Sequence, residues 1–117
     1  MAEKPCQFCK IAAEVPEWVV DHGTVVSFKP FGAVHPMHRL FIPKEHIVFA
    51  DESPIITGEC FKFAAAWAAG KHKPFNLIVQ SGHLAGQGTW HLHVHYVPRE
   101  AGDGLGYRWK SEEAKEK

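Results

Sequence analysis

The chain has 117 residues, of which 45% are hydrophobic and 22% are charged, and this composition predicts a single globular domain. Thirteen Lys and Arg residues balance thirteen Asp and Glu residues, so the chain lacks the positive field that non-specific nucleic-acid binding requires. No stretch approaches the roughly 20 apolar residues of a membrane span, and residues 1–9 contain no apolar run behind a basic segment. We therefore expect a cytoplasmic protein with neither a nucleic-acid nor a membrane partner.

The domain is expected to cover residues 1–110, and residues 111–117, which are all charged or small, are expected to form a solvated tail. Cys6 and Cys9 are spaced as Cys-x-x-Cys, which in a reduced compartment indicates metal binding or redox chemistry. Cys60 lies in an apolar, Ala-rich stretch and is predicted to be a small buried residue.

The amino-terminal part of the chain predicts a short helix followed by a hairpin. Residues 8–13 are expected to form a short helical turn ahead of a proline. Residues 18–21 and 24–28 are rich in β-branched and aromatic residues and flank a His-Gly pair. This arrangement predicts two antiparallel strands.

The middle of the chain predicts two strands with a helix between them. Residues 39–42 and 75–80 are apolar runs bounded by proline, serine and glycine, and we expect both to be central strands. Residues 55–69 follow Ser53 and end at Gly70, which predicts a helix that is capped at both ends. The whole order predicts an α+β fold: an antiparallel sheet of about five strands, one main helix and a short amino-terminal helix.

Residues 91–97 form the most informative segment, because histidine alternates in it with apolar residues. A strand with this period of two places His91, His93 and His95 on one face and lets the other face be buried. Imidazoles need hydrogen-bond partners when they are desolvated, so three on one face are a poor choice for stability alone. The alternatives are an exposed histidine face on an edge strand, a three-histidine metal site, and covalent catalysis by one imidazole.

Two further motifs give this histidine segment a context. Residues 85–90, Ala-Gly-Gln-Gly-Thr-Trp, lead directly into it, and residues 38–46 are His-Arg-Leu-Phe-Ile-Pro-Lys-Glu-His. Together these motifs resemble the histidine-triad family, whose pattern is His-φ-His-φ-His-φ-φ after Gly-Gln, with His-x-φ-x-Ile-Pro-Lys-x-His upstream. The resemblance covers about residues 6–99.

The resemblance implies a phosphoramidase-like nucleotide hydrolase or transferase. Such an enzyme cleaves a bond at the α-phosphorus of a nucleoside monophosphate conjugate (a phosphoramidate, an acyl-adenylate or a dinucleoside polyphosphate) through a covalent nucleotidyl-histidine. The family's nucleophile corresponds to His93, and its contact to the non-bridging phosphoryl oxygens corresponds to His95. Gln87 corresponds to a glutamine that contacts the phosphate, Gly86 allows close backbone approach, and His38 corresponds to an upstream supporting histidine.

The resemblance also implies a structural zinc ion. The segment that begins at Cys6, Cys-Gln-Phe-Cys-Lys-Ile, is similar to the amino terminus of zinc-containing family members. The corresponding histidines are His46 and His91, which with Cys6 and Cys9 give the Cys₂His₂ set of a structural Zn²⁺ site. The alternative is a pair of reduced surface thiols.

The implied substrate site departs from the family pattern at two positions. Pro30 stands where the family often has an aspartate that binds the ribose hydroxyls, and Gly88 stands where several relatives have a serine or threonine. A nucleotide-binding, zinc-stabilised interaction module with little catalysis is therefore the alternative function. Family members commonly form homodimers, which we also expect here. The implied substrate-binding residues are Phe8, Ile11, Phe28, Phe31, Leu40, Gly86 and Thr89.

Overall fold

The computed structural model describes residues 6–71 and 73–107, so the predicted tail and parts of the predicted domain lie outside the described residues. No helix in the described ranges is long and apolar enough to cross a membrane. Two short 3₁₀ turns accompany the regular elements. In chain order, the helices and strands are α1 (Gln7–Glu14), β1 (Val20–Asp21), β2 (Val25–Phe28), β3 (Arg39–Pro43), α2 (Pro54–Ala68), β4 (Phe75–Val79) and β5 (Val94–Pro98).

The five strands form one antiparallel sheet in the order β1-β2-β3-β5-β4, which confirms the predicted α+β fold and the β1-β2 hairpin. The prediction that β4 is a central strand is wrong, because β4 lies at the sheet edge. The chain crosses over through α2 after β3, and β5 then inserts between β3 and β4 and pairs with both. In this register His95 lies opposite Leu40 on one side and Ile78 on the other.

The two faces of the sheet are covered by different helices. Leu92, Val94 and Tyr96 are buried under α2, together with Cys60, which is fully buried as predicted. The opposite face is covered by α1, whose Phe8 packs in a second buried cluster with residues of β2 and β3. Side chains alternate along a strand, so the histidine of β5 faces the α1 side.

Helix α2 has the predicted caps. The Ser53 side chain accepts a hydrogen bond from the Ile56 N–H at 3.2 Å, and Pro54 occupies the first turn, where its missing N–H removes no helical bond. Gly70 follows the helix with a φ of +80°, a conformation that glycine adopts without strain.

The histidine segment is only partly a strand, because β5 begins at Val94 and not at residue 91. Residues 91–93 approach the sheet through other bonds: the Leu92 N–H donates to the Ile47 carbonyl at 2.7 Å. The alternative of an exposed face on an edge strand is wrong, since β5 is internal, His91 is fully buried and His93 is 8% exposed.

The loop before the histidine segment needs glycine at position 86. Gly86 has a φ of +99°, and a Cβ there would lie 2.7 Å from the Gln80 Nε2 atom. Gly88, two residues later, has open space around it and no positive φ. We expect Gly86→Ala to lower the free energy of unfolding by about 1–2 kcal/mol more than the matched Gly88→Ala. Urea unfolding midpoints test this, and equal midpoints would contradict it.

Candidate active site and metal centre

Three separate segments bring the predicted metal ligands together. Cys6 is the residue before α1, where its Sγ accepts a hydrogen bond from the Cys9 N–H at 3.4 Å, so one helical turn places the two thiols side by side. His46 follows β3, and His91 precedes β5. The group therefore ties the amino terminus to the two neighbouring central strands.

The four donor atoms of this group, which we call the Cys₂His₂ group, all lie within 4.8 Å of one another and are close enough to share one metal ion. His91 Nδ1 lies 3.3 Å from Cys6 Sγ, 3.6 Å from Cys9 Sγ and 3.1 Å from His46 Nδ1. The separation between Cys9 Sγ and His46 Nδ1 is 3.2 Å. Tetrahedral zinc with ordinary Zn–S and Zn–N bonds separates its ligand atoms by about 3.3–3.8 Å. The donor set and its spacing therefore fit Zn²⁺.

The tautomer of His91 also suits a bound cation. The Nε2 of His91 donates to the Pro43 carbonyl at 2.8 Å, so its Nδ1 lone pair faces the other ligands. Burial lowers the pKa of His91 to about 4, which keeps this imidazole neutral. Burial and the neighbouring Cys6 raise the pKa of Cys9 to about 11, a shift that a bound cation would oppose by favouring the thiolate.

The described residues contain no other group of three or more metal donors, so His93 and His95 stay outside metal ligation. His91 Nδ1 points into the Cys₂His₂ group. By contrast, His93 Nδ1 is bonded to a backbone oxygen and His95 Nδ1 to His38. The alternative of one metal held by all three histidines is therefore not found in the described structure.

His93 is oriented by a backbone carbonyl. Its Nδ1 lies 2.8 Å from the His91 oxygen, and a carbonyl can only accept, so Nδ1 carries the proton. The Nε2 lone pair is then available, and no described residue forms a hydrogen bond with it. Burial lowers the pKa of His93 below its usual value, which keeps the ring neutral at pH 7. The edge of the ring packs against Phe8, with centroids 5.5 Å apart.

A chain of hydrogen bonds fixes the tautomer of His95. The Val34 N–H donates to His38 Nδ1 at 3.1 Å, so the proton of this neutral ring is on Nε2. His38 Nε2 in turn donates to His95 Nδ1 at 3.0 Å, which places the His95 proton on Nε2. That nitrogen is buried and has no partner among the described residues.

The result is an imidazole with a free lone pair beside an imidazole with an unpaired N–H. His93 offers a lone pair on Nε2, and His95 offers a buried Nε2–H that has no hydrogen-bond acceptor among the described residues. An unpaired buried donor costs about 1–3 kcal/mol, and a negatively charged oxygen would satisfy it. This arrangement can support attack on phosphorus and stabilise the charge on its non-bridging oxygens.

Gln87 lies in a different environment from the one that the sequence suggested. It is buried, its Oε1 accepts from the Gly82 N–H, and its Nε2 donates to the carbonyls of Val48 and Thr89 at 2.9 and 3.0 Å. Both amide protons are thus used within the protein. A contact between this amide and phosphate stays a prediction and requires one of these bonds to open.

The predicted nucleobase residues divide into two sets. Phe8 and Phe28 are buried and pack edge to face, with centroids 5.6 Å apart, and Ile11 and Leu40 belong to the same cluster. Phe31, by contrast, is 80% exposed.

Sequence analysis missed Trp18 as a neighbour of this cluster, since one aromatic residue in a strand-like run has no distinguishing signal. Its ring lies 5.6 Å from Phe28 and 6.2 Å from Phe31. Trp18 therefore links the exposed Phe31 to the buried residues near His93.

The buried neutral imidazoles of His38 and His95 predict acid sensitivity. Burial lowers the pKa of each to about 4, against about 6.5 in an unfolded chain. Between these values the unfolded chain binds more protons, so the free energy of unfolding falls as the pH drops from 6.5 to 4 and then levels off. Between pH 6.5 and pH 4, the free energy of unfolding of His38→Gln should fall by about 1–3 kcal/mol less than that of the wild type. Urea unfolding from neutral pH to about pH 4 tests it, with exposed His83→Gln as control, and equal pH dependence in all three proteins would contradict it.

The open antiparallel sheet and the His91, His93 and His95 segment that leads into β5 match the histidine-triad pattern, with His91 also belonging to the Cys₂His₂ group. The HIT domain family model matches residues 13–102, and the chain belongs to this family. It is 35% identical over 100 residues to the protein HitA of Neisseria gonorrhoeae, covering 79% of this chain and 94% of that relative.

Solved structures of similar proteins show the same fold. A HIT family hydrolase from Legionella pneumophila superposes with a TM-score of 0.69 and 27% identity, over 91% of this chain and 98% of that one. A zinc-bound histidine triad family protein from Mycobacterium smegmatis superposes with a TM-score of 0.68 and 28% identity, over 88% and 81% of the two chains. The family thus includes hydrolases and a zinc-bound member.

Proposed function

We propose that this protein is a nucleotide hydrolase or transferase that cleaves a bond at the α-phosphorus of a nucleoside monophosphate conjugate. The substrate class is a phosphoramidate, an acyl-adenylate or a dinucleoside polyphosphate. The observation that carries the proposal is the pair of fixed tautomers: His93 has its lone pair on Nε2, and His95 has its proton on a buried, unpartnered Nε2. Membership of a family that includes hydrolases supports it.

The reaction proceeds in two displacements. The His93 Nε2 lone pair attacks phosphorus, a nitrogen–phosphorus bond forms, and the leaving group departs with the electron pair of the broken bond. His95 Nε2 donates to a non-bridging oxygen as its charge grows. The leaving group takes up a proton from solvent where it is basic enough to do so. Water or another acceptor then attacks the nucleotidyl-histidine and gives up a proton to solvent, which releases the nucleotide and restores the neutral His93.

Phe8 supports the position of the substrate. Its ring touches both His93 and Phe28, so the buried aromatic cluster begins directly beside the nucleophile. We infer that the nucleobase packs along this cluster toward Phe31 and that the loop of Gly86 and Thr89 faces the phosphate. Gln87 contacts that phosphate after releasing one of its loop bonds.

We further propose that the Cys₂His₂ group binds a structural Zn²⁺ through Cys6, Cys9, His46 and His91. When bound, zinc supplies folding energy and holds the side chain of His91 in place. The backbone oxygen of His91 also orients His93, so His91 connects the metal centre to the nucleophile. The zinc-bound relative and the spacing of the donor atoms support this assignment.

A cytoplasmic homodimer is the state that we propose for the protein. Reduced Cys6 and Cys9 are maintained by a reducing compartment, which supports the location. Strand β4 pairs on one side only, with β5, and a second copy of β4 could pair with its free edge.

Incubation with adenosine phosphoramidate tests the proposed activity. We expect AMP to accumulate with the zinc-loaded wild-type protein, and chromatography to show more than one product molecule for each protein molecule. The alternative, a nucleotide-binding module with little catalysis, predicts AMP binding by calorimetry without product release. Binding without release would therefore replace the proposed function by this alternative.

A further inference from the structure

A short ion-pair chain lies beside the histidine site without belonging to it. The Glu100 carboxylate oxygen Oε2 is 2.8 Å from Lys73 Nζ and 3.1 Å from His35 Nε2. The His35 side chain is only 13% exposed, whereas those of Glu100 and Lys73 are about half exposed, at 45% and 51%. Lys73 and His35 together hold the pKa of Glu100 below its usual value, so it accepts from both as a carboxylate.

His35 organises the turn of residues 34–38. Its Nδ1 accepts a hydrogen bond from the Met37 N–H at 2.9 Å, so its proton is on Nε2 and is donated to Glu100. Its carbonyl accepts from the His38 N–H at 3.0 Å. The side chain and the backbone of His35 thus hold the turn from which His38 projects toward His95.

Glu100 is itself held in place at the end of β5. Its N–H donates to Asp103 Oδ2 at 3.0 Å, and Asp103 also pairs with Arg99 at 2.8 Å. The Arg99 N–H donates to the Pro74 carbonyl at 2.7 Å. The carboxylate therefore projects from a backbone that is fixed relative to β4 and β5.

The turn and the β5 segment are consequently joined by two links. The inner link is the bond between His38 and His95, and the outer link is the bond between His35 and Glu100, at 3.0 and 3.1 Å. The ladder between β3 and β5 begins at Arg39 and so fixes the backbone only from the residue after His38. The earlier part of the turn is bonded to the end of β5 through His35 and Glu100.

We propose that Glu100 is a positioning residue that holds the turn of residues 34–38 against the end of β5 and so keeps His38 bonded to His95. Without the outer link the turn moves away, His95 Nδ1 loses its donor, and the ring divides between two tautomers. Only the tautomer with its proton on Nε2 can donate to a phosphoryl oxygen. The consequence for turnover rests on the proposed function, whereas the consequence for the tautomer does not.

Nitrogen NMR of the histidine rings, combined with steady-state kinetics, tests the proposal. In Glu100→Ala we expect the His95 Nδ1 and Nε2 resonances to move toward each other, as in a mixture of tautomers. We expect kcat to fall about two- to five-fold with KM unchanged, the range of a weak, partly exposed ion pair. If Glu100 only stabilised the fold, its loss would leave the His95 ring resonances unchanged. It would also not lower kcat while leaving KM unchanged.

Two matched variants separate the contact with His35 from the charge of Glu100. Glu100→Gln keeps an oxygen that can accept from His35 and should restore most of the lost kcat. Lys73→Met removes the other partner of the carboxylate and should resemble the wild type in both measurements. A Lys73→Met protein as impaired as Glu100→Ala, or a Glu100→Ala protein with wild-type resonances and kcat, would overturn the proposal.

A further variant, His35→Asn, tests the same link if Glu100→Ala does not fold. In His35→Asn the side-chain oxygen can still accept from the Met37 N–H, but the side chain is too short to reach Glu100. This protein should show the same shift in the His95 resonances, and unchanged resonances would overturn the proposal. If the wild type releases no AMP, the proposed function fails, but the ring resonances still decide the role of Glu100.

Discussion

His93→Ala is expected to lose at least about 10³-fold in turnover of adenosine phosphoramidate, because the variant has no lone pair to form the nitrogen–phosphorus bond. The fold and the zinc content should remain, since His93 contributes no donor atom to the Cys₂His₂ group. Initial rates of AMP release, metal analysis and circular dichroism measure the three quantities.

His83→Ala is the matched control for that loss, because His83 lies in the loop before the histidine segment and its side chain is exposed. Its turnover should equal that of the wild type. Turnover of His93→Ala within a few fold of this control would show that another group attacks phosphorus, or that water attacks directly.

The second large effect concerns the metal centre. The double variant Cys6→Ser, Cys9→Ser is expected to lose its zinc and to melt about 10–20 °C below the wild type, since structural zinc contributes several kcal/mol to folding. The Cys₂His₂ group joins α1, the end of β3 and the start of β5, so all three should loosen together. Metal analysis and thermal unfolding provide the measurements.

Cys60→Ala serves as the control for thiol loss. Cys60 lies on the buried face of α2, and burial raises the pKa of its thiol to about 12, so it behaves as an apolar side chain. This variant should lose some packing energy but keep its full zinc content. Equal zinc content in the double cysteine variant and in the wild type would remove the metal assignment.

Activity and zinc should be connected through one residue. The side chain of His91 belongs to the Cys₂His₂ group. The backbone oxygen of His91 accepts a hydrogen bond from His93 Nδ1, with 2.8 Å between the two atoms. Removing zinc would release the ring of His91 and, with it, the constraint on the tautomer of His93. The double cysteine variant should therefore lose turnover even at temperatures where it remains folded.

Much of this architecture could be predicted from sequence because it depends on local chemistry. The caps of α2 follow from Ser53 and Gly70, and the alternation after residue 91 shows which side chains pack in the cluster under α2. The order of the strands could not be predicted in the same way. A short apolar run has the same sequence pattern at the centre and at the edge of a sheet, so nothing in residues 75–79 indicates that β5 will separate this strand from β3. In the structure β4 is only partly buried, whereas β3 is largely buried.

The site shows the same limit. The resemblance to the histidine-triad family assigns the nucleophile to His93, and that role stays a prediction. The group that orients the His93 ring is the backbone oxygen of His91, which has no sequence signal. The bonds of Gln87 depend on how its loop folds back on Val48, and no spacing rule predicts them. Glu100 and His35 are 65 positions apart and meet only in the folded chain.

The most direct test of the account is the mass of the intact protein after a rapid quench, without acid, of its reaction with adenosine phosphoramidate. An adenylyl increment on the wild-type chain, located by fragmentation to His93 and missing from His93→Ala, is the predicted result. Rapid AMP release with no increment at any quench time, or an increment that persists in His93→Ala, would contradict a covalent intermediate at this histidine.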